Sequence, residues 1–471
     1  MGSTKSDTPS QSSFVSGRFV KKSSFPIPVE SLFSWHERDG AIERLSPPWD
    51  PLKVIYKSGG IQPEAKVILG MKEGPVRFKW HAVHTDYEQN RLFRDMQTRG
   101  PLSSWIHTHR FESLGENQST MEDTIEYKSY FSWISRYLMD PFIKKKLSRI
   151  FTYRHKTTTD DLKLHQQFIH LPRKRVLISG ASGLIGQKLI PFLKTGGHTV
   201  LTLVRREPAA EHEIFWDPVK GVLNADDLAG VDAIIHLSGE NVGEGRWTKA
   251  KKQRIIESRQ LSTDLLSRTA SCLNPKPEVF ISASATGYYG DTQQQTATEE
   301  SRQGGGFLAS VCKQWEEAAQ PVVKSGIRTV FMRIGVVITP EGGALGKLLL
   351  PYQFGLGGRI GSGSQFMSWI SIDDVVSAFY WALMNEKITG PLNAVSPNPV
   401  SSLKFSKTLA SVLHRPAILP LPAFLIKILF GQMGVEGLLY STKVNPTLLL
   451  NSGFHFRHLK LDEVFKHVLG K

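Results

Sequence analysis

The sequence predicts an α/β protein with a doubly wound parallel sheet, preceded by an α+β domain built on antiparallel strands. Three observations carry this. From Arg175 onward the apolar runs RVLIS, HTVLTLV, VDAIIHLS, EVFISAS and IRTVFMRIGVVI alternate with helix-like segments. Continuous apolar strands of that kind belong to a parallel sheet covered by helices on both faces. The first of these strands runs into the glycine turn GASGLIG and then into a helical pattern. Ahead of them, GRFVKKSSF, VRFKWHAVHTDYE, SSWIHTHRFESL and STMEDTIEYKSYF alternate with period two, the mark of half-buried antiparallel strands.

Taken in order, the polar stretch MGSTKSDTPSQSS has no apolar segment of a signal peptide, and residues 1–13 are expected to be a disordered tail. Residues 14–130 hold the antiparallel strands, with VESLFSWHERDGAIERL as a helical pair after the first. Residues 131–173 read as a basic helical linker, residues 174–395 as the parallel-sheet domain, and residues 396–471 as a small helical C-terminal domain. The chain of 471 residues carries a net charge of +15. That excess is local. Residues 1–130 have 17 Lys/Arg against 16 Asp/Glu, whereas residues 131–175 have 11 against 3. Such a segment pairs with acidic surfaces or stays solvated more often than it binds nucleic acid, so a nucleic-acid partner is disfavoured. The apolar run AILPLPAFLIKILF is short and broken by prolines, so no membrane span is expected. Two cysteines, Cys272 and Cys312, lack metal-type spacing and suit a reducing cytoplasm.

The segment RKRVLISGASGLIGQKLIPFLKTGGHTVLTLVRR reads strand, glycine turn, helix, strand. Gly180 permits the turn, Gly183 lets a pyrophosphate approach the backbone, and Gly186 lets the helix pack on the strand. Ser182, Leu184 and Ile185 complete the turn, and the helix N-terminus offers unpaired N–H groups to phosphates. This is a Rossmann-type dinucleotide site. Where an NAD site carries an acid for the ribose 2′-hydroxyl, the second strand ends in Arg205 and Arg206, which suit a 2′-phosphate. NADP is therefore favoured over NAD.

GASGLIG, HLSGENVGEGRW, SASATGYYG, FLASVCKQWE, GGALGKLLLPYQFGLGGRIGSGSQFMSWISIDD and LNAVSPNPVS together resemble the epimerase-like branch of the short-chain dehydrogenase/reductase superfamily, including its small terminal domain of unknown function. Residues 14–155 resemble a START-like, polyketide-cyclase-like helix-grip domain with an apolar cavity, which some bacterial members carry in front. The resemblance implies that Leu237, Ser238 and Gly239 line the cofactor, that Arg259 adds a phosphate contact, and that Ser284 polarises a substrate carbonyl, with Thr286 as its rival.

In short-chain enzymes a tyrosine supplies the proton, and a lysine four residues on lowers its pKa and holds the nicotinamide ribose. Here Lys313 is placed like that lysine, but Ala309 stands where the tyrosine belongs. Tyr288 and Tyr289 are substitutes from another loop, and Glu240 is an alternative acid. Gln365 and Trp369 are candidates for substrate contact, with core packing as the rival reading; Ser371 and Asp374 have capping-box spacing. In the front domain Trp35, Trp49, Trp80 and Trp105 suggest an aromatic lining. His107 and His109 share one strand face; with no third ligand evident, no metal is expected. The first functional reading is an NADP-dependent oxidoreductase or epimerase acting on a small carbonyl or sugar-like substrate, fused to a domain for an apolar ligand. The second is a non-catalytic NADP-binding sensor or ligand carrier.

Overall fold

The structure, a computed structural model, describes residues 17–129 and 139–471. The expected tail over residues 1–13 lies outside the described residues. The chain divides into two compact units. The first comprises residues 1–37 and 51–159, the second residues 38–50 and 160–471.

The first unit contains β1 (Gly17–Phe25), α1 (Val29–Glu37), β2 (Lys53–Lys57), β3 (Lys66–Glu73), β4 (Val76–Glu88), β5 (Leu92–Arg99), β6 (Ser104–Gly115) and β7 (Gln118–Lys128). These seven strands form one antiparallel sheet in the order β1-β7-β6-β5-β4-β3-β2. The short helix α2 (Ala41–Arg44) belongs to the second unit, and the boundary at residue 159 falls within the long helix α3 (Asp140–Gln167). Leu147 and Phe151 of α3 pack with Ile125 and Tyr127 of β7 in a satellite core. Trp35 is fully buried, and Trp80 meets Trp105 edge to face at 5.1 Å. Three strands, β2, β3 and β5, were not anticipated from the sequence. In β5 the period-two pattern is hidden because the charged Asp95 occupies a position facing the interior, opposite His107 of β6.

In the second unit β8 (Arg175–Ser179), β9 (Thr199–Val204), β10 (Glu213–Phe215), β11 (Ala233–His236), β12 (Val279–Ala285) and β13 (Arg328–Ile334) are joined by β14 (Gly390–Ala394) in a parallel sheet of order β10-β9-β8-β11-β12-β13-β14. The crossover helices include α4 (Gly186–Thr195), α5 (Lys249–Cys272) and α6 (Phe307–Glu317). Helix α7 (Ile372–Met384) is buried along its whole length. This follows from its composition, IDDVVSAFYWALM, which is apolar all round after the first turn. Ser371 accepts a hydrogen bond from the Asp374 N–H at 2.9 Å and donates to its carboxylate at 2.7 Å, so the pair caps α7. The strand order reverses beside β8, with β9 on one side and β11 on the other. Ligands of such sheets bind beyond the carboxyl ends of the strands at that point.

Candidate dinucleotide and substrate site

The turn between β8 and α4 is built for close approach. Gly180 has φ +73, and a Cβ there would lie 2.8 Å from the Leu237 carbonyl carbon. A Cβ on Gly186 would lie 2.6 Å from the Gly180 carbonyl oxygen. Neither position admits a side chain: Gly180 brings the β8 turn against the Leu237–Ser238 backbone, and Gly186 brings the start of α4 against the turn. The Gly183 N–H closes the turn on the Gly180 carbonyl at 3.0 Å. No side chain caps α4, while Ser182 and Gly183 are exposed and Leu184 and Ile185 half-buried beside its N-terminus. Gln187 and Lys188 already donate their N–H groups to the Gly183 and Ile185 carbonyls at 3.0 and 3.1 Å, so it is the N–H groups of Leu184, Ile185 and Gly186, ahead of them, that are left for an anion.

At the end of β9 the two arginines differ. Arg206 is held by Glu213 through bonds of 2.9 and 2.5 Å, an acid the sequence reading had not connected with it. Arg205 is exposed and makes no ion pair among the described residues. Beyond β11, Gly239 sits over Arg259, whose guanidinium carbon would be 3.0 Å from a Cβ there. Arg259 is buried. It donates to the carbonyls of Glu240 at 3.0 Å and Ile255 at 3.1 Å, and lies 4.7 Å from the centre of the Trp315 ring. No carboxylate lies within ion-pair distance of it among the described residues. The Glu240 carboxylate is paired with Lys251 at 2.6 Å, which holds its pKa below the usual range and keeps it ionised. The neighbouring His236 is a core histidine. Ser179 and Thr263 bond its two ring nitrogens at 2.6 and 2.9 Å, and burial pushes its pKa down to about 3.

Ser284, near the end of β12, donates to Glu316 of α6 at 2.7 Å. Arg333 of β13 grips the same carboxylate with bonds of 2.9 and 2.8 Å. Its guanidinium stacks 3.5 Å from the centre of the Tyr288 ring and donates to the Tyr289 hydroxyl at 3.0 Å. Tyr289 in turn donates to Asn393 at 2.7 Å, and burial pushes its pKa up to about 12. Thr286, two residues beyond Ser284, is also buried. This Ser284–Glu316–Arg333–Tyr288 cluster was half foreseen. Glu316 and Arg333 were missed, although an acid one helical turn past Cys312 and an arginine inside an apolar strand were visible signals.

Lys313 lies on the exposed side of α6, its side chain 53% exposed and its ammonium 3.7 Å from Glu317. Ala309 is fully buried. Glu316 of α6 bonds Ser284, while Leu308 and Cys312 lie against Gly287 of the Thr286 turn; burial raises the Cys312 thiol pKa to about 11. Gln365 bridges two backbone segments, donating to the carbonyls of Ile360 and Leu438 at 3.0 Å each. Trp369 is fully buried, with its indole N–H donating to the Asn398 carbonyl at 2.9 Å. In this structure both side chains act within the packing around the site.

Residues 176–393 match the NAD dependent epimerase/dehydratase family, and residues 421–468 match a domain of unknown function, DUF1731. An epimerase family protein of Mycobacterium leprae is 38% identical over 292 residues, covering 62% of this chain and 94% of that protein. The human epimerase family protein SDR39U1 is 34% identical over 298 residues, covering 63% of this chain and 99% of its own. A solved structure of that human protein with NADPH superposes with TM-score 0.58 at 32% identity. The structure described as a nucleoside-diphosphate sugar epimerase from Corynebacterium glutamicum is 31% identical, with TM-score 0.80, over 96% of this chain and 90% of its own. With its dinucleotide turn, its switch-point sheet and its terminal domain all matched, the chain belongs to the NAD dependent epimerase/dehydratase family.

Proposed function

We propose that the chain is an NADP-dependent enzyme of epimerase or oxidoreductase type acting on a small carbonyl or sugar-like substrate. The observation that carries the cofactor is the N-terminus of α4, without a side-chain cap and behind a glycine turn, with an exposed Arg205 at the end of β9 that makes no ion pair among the described residues. The NADPH-bound human relative supports the same choice. Gly180, Ser182, Gly183, Leu184, Ile185 and Gly186 take the pyrophosphate, Arg205 the 2′-phosphate, and Leu237, Ser238 and Gly239 the adjoining ribose. Arg259 supplies positive charge beneath that loop. Arg206 contributes at one remove, since Glu213 already holds it.

A bound nicotinamide supplies hydride transfer. Ser284 orients the substrate oxygen, with Glu316 fixing the hydroxyl and Arg333 fixing Glu316. Tyr288, half-buried against Arg333, is the proton-transfer group. Glu240 stays ionised and orients substrate. Lys313 reaches the ribose only by leaving Glu317, and Gln365 and Trp369 shape the substrate side from behind. The front unit is a START-like domain for an apolar ligand, supported by a seven-stranded antiparallel sheet against α1 and α3. NADPH turnover across a panel of carbonyl substrates tests this reading. Turnover lost in Ser284→Ala and Tyr288→Phe supports it; tight NADPH binding without turnover on any substrate supports the second reading. That second reading, an NADP-binding sensor or ligand carrier, is favoured by one observation: a buried alanine and an exposed lysine occupy the sequence positions of the usual catalytic pair. Native mass spectrometry of the purified chain reports both NADP and an apolar passenger.

A further inference from the structure

The front unit holds a second cluster of chemistry-bearing side chains. His107 and His109 alternate on β6, and their cross-strand neighbours on the same face are Asp95 of β5 and Asp123 of β7. His36 of α1 and His155 of α3 close over them. We propose that Asp95, His107 and His109 bind a divalent transition-metal ion, with Asp123 as the carboxylate that orients the histidines.

Four features point there. The three ligand groups each bring one donor atom to within 4.8 Å of the others. The Asp95 carboxylate lies 3.5 Å from His107 Nδ1, too long for a good hydrogen bond. It matches the edge of a tetrahedron around an ion with bonds of about 2.0–2.1 Å, which is about 3.4 Å. The other nitrogen of His107 lies 3.0 Å from the Asp123 carboxylate. A metal-bound histidine characteristically donates its second N–H to such a group. His109 Nδ1 is buried with no hydrogen-bond partner; Asp123 lies 2.5 Å away, but not in hydrogen-bond alignment.

Charge agrees. Asp95 and Asp123 have no lysine or arginine within 4.0 Å among the described residues, and the imidazoles of His107, His109 and His155 are the groups that face them. Asp123 is itself oriented from the far side by His155, 2.5 Å away, which contacts Ser23 at 2.7 Å. Asp95 retains 18% exposure and gives the way in. A second His/Asp group, Asp373, His458 and His467, lacks this character: the guanidinium of Arg44 lies 2.9 Å from Asp373 and already matches its charge. Two imidazoles and one carboxylate suit Zn²⁺ and its neighbours, and three protein ligands leave a position for water or for an oxygen of a bound molecule.

The test uses the untagged full-length chain, stripped with a chelator and reloaded with Zn²⁺ or Co²⁺. One ion per chain is expected by elemental analysis, with a visible Co²⁺ spectrum of nitrogen and oxygen ligation. Asp95→Asn and His109→Gln should each weaken Zn²⁺ binding, and Asp123→Asn should weaken it about 10- to 100-fold. Exposed Glu112→Gln should change nothing. Substoichiometric metal at saturating Zn²⁺, or unchanged affinity in both Asp95→Asn and His109→Gln, overturns the proposal. If those variants do not fold, the native chain decides: a Tm that rises with Zn²⁺ supports the site, and a Tm indifferent to Zn²⁺ overturns it.

Discussion

Arg205 and Arg206 are adjacent and of one type, yet their surroundings assign them different work. Glu213 neutralises Arg206, so a 2′-phosphate gains most from Arg205. Charged hydrogen bonds are worth about 1.5–3 kcal/mol. Arg205→Ser should therefore raise the Kd for NADPH roughly 10- to 100-fold by fluorescence titration and leave NADH almost unchanged. Arg206→Ser should have the smaller effect. Equal loss of NADPH and NADH affinity in Arg205→Ser would remove the 2′-phosphate assignment. Glu316 poses the complementary case. Its carboxylate is the ion-pair partner of the buried Arg333 and also fixes Ser284. Glu316→Gln leaves that guanidinium without its counter-charge, and breaking a buried pair costs about 3–5 kcal/mol. Denaturant unfolding should show that loss, with an unchanged midpoint counting against it.

At the scale of elements, α6 depends on a residue far along the chain. Its first N–H groups, those of Phe307 and Leu308, donate to the two oxygens of Glu436 at 3.0 and 2.9 Å. Glu436 lies in the segment matched to the terminal domain of unknown function. A carboxylate at a helix N-terminus satisfies orphan donors and faces the positive end of the helix dipole. Glu436→Ala should cost about 1–2 kcal/mol, the range for a lost cap, and slow any turnover through a less ordered α6. Identical unfolding curves would show the cap to be idle. This contact explains the limit of the sequence reading. GASGLIG announces its own turn, and the apolar runs announce β8, β9, β11, β12 and β13, because those signals are local. The pairing of Ser284 with Glu316 and the capping by Glu436 join residues 32 and 128–129 positions apart. Periodicity carries no trace of them. The expectation for Lys313 rested on spacing from the missing tyrosine; burial within α6 instead turns Cys312 and Glu316 towards Ser284 and the Thr286 turn. In the front unit, the inward-facing Asp95 masked the alternation of β5 for the same reason that makes it chemically interesting.

At the scale of the molecule, three interior histidines of the second unit, His165, His198 and His236, set its acid limit. Burial pushes each pKa down to about 3, against an ordinary value of 6.5. A group with a lowered folded pKa stabilises above its unfolded pKa, and that stability is lost as pH falls towards the folded value. Unfolding of this unit should therefore take up protons between about pH 6.5 and 3, and Tm should drop steeply below pH 6 while staying flat above 7 in this contribution. A Tm independent of pH over 4–7 would contradict it. The same unit holds a buried charge network. Arg44 of α2 bonds Asp161 at 2.6 and 2.9 Å and Asp373 at 2.9 Å, and Arg457 bonds Asp161 at 2.9 Å. Because residues 38–50 belong to this unit while the residues on either side belong to the other, the chain crosses the boundary three times. No single cut yields either unit whole. A fragment beginning at residue 174 would lack Arg44 and Asp161, leaving Asp373 with His467 and the Arg457 guanidinium with Ser377 but without the charges that meet them here. During synthesis the segment around Arg44 leaves the ribosome long before Asp373 and Arg457 exist, so this network can close only after those late residues have been made.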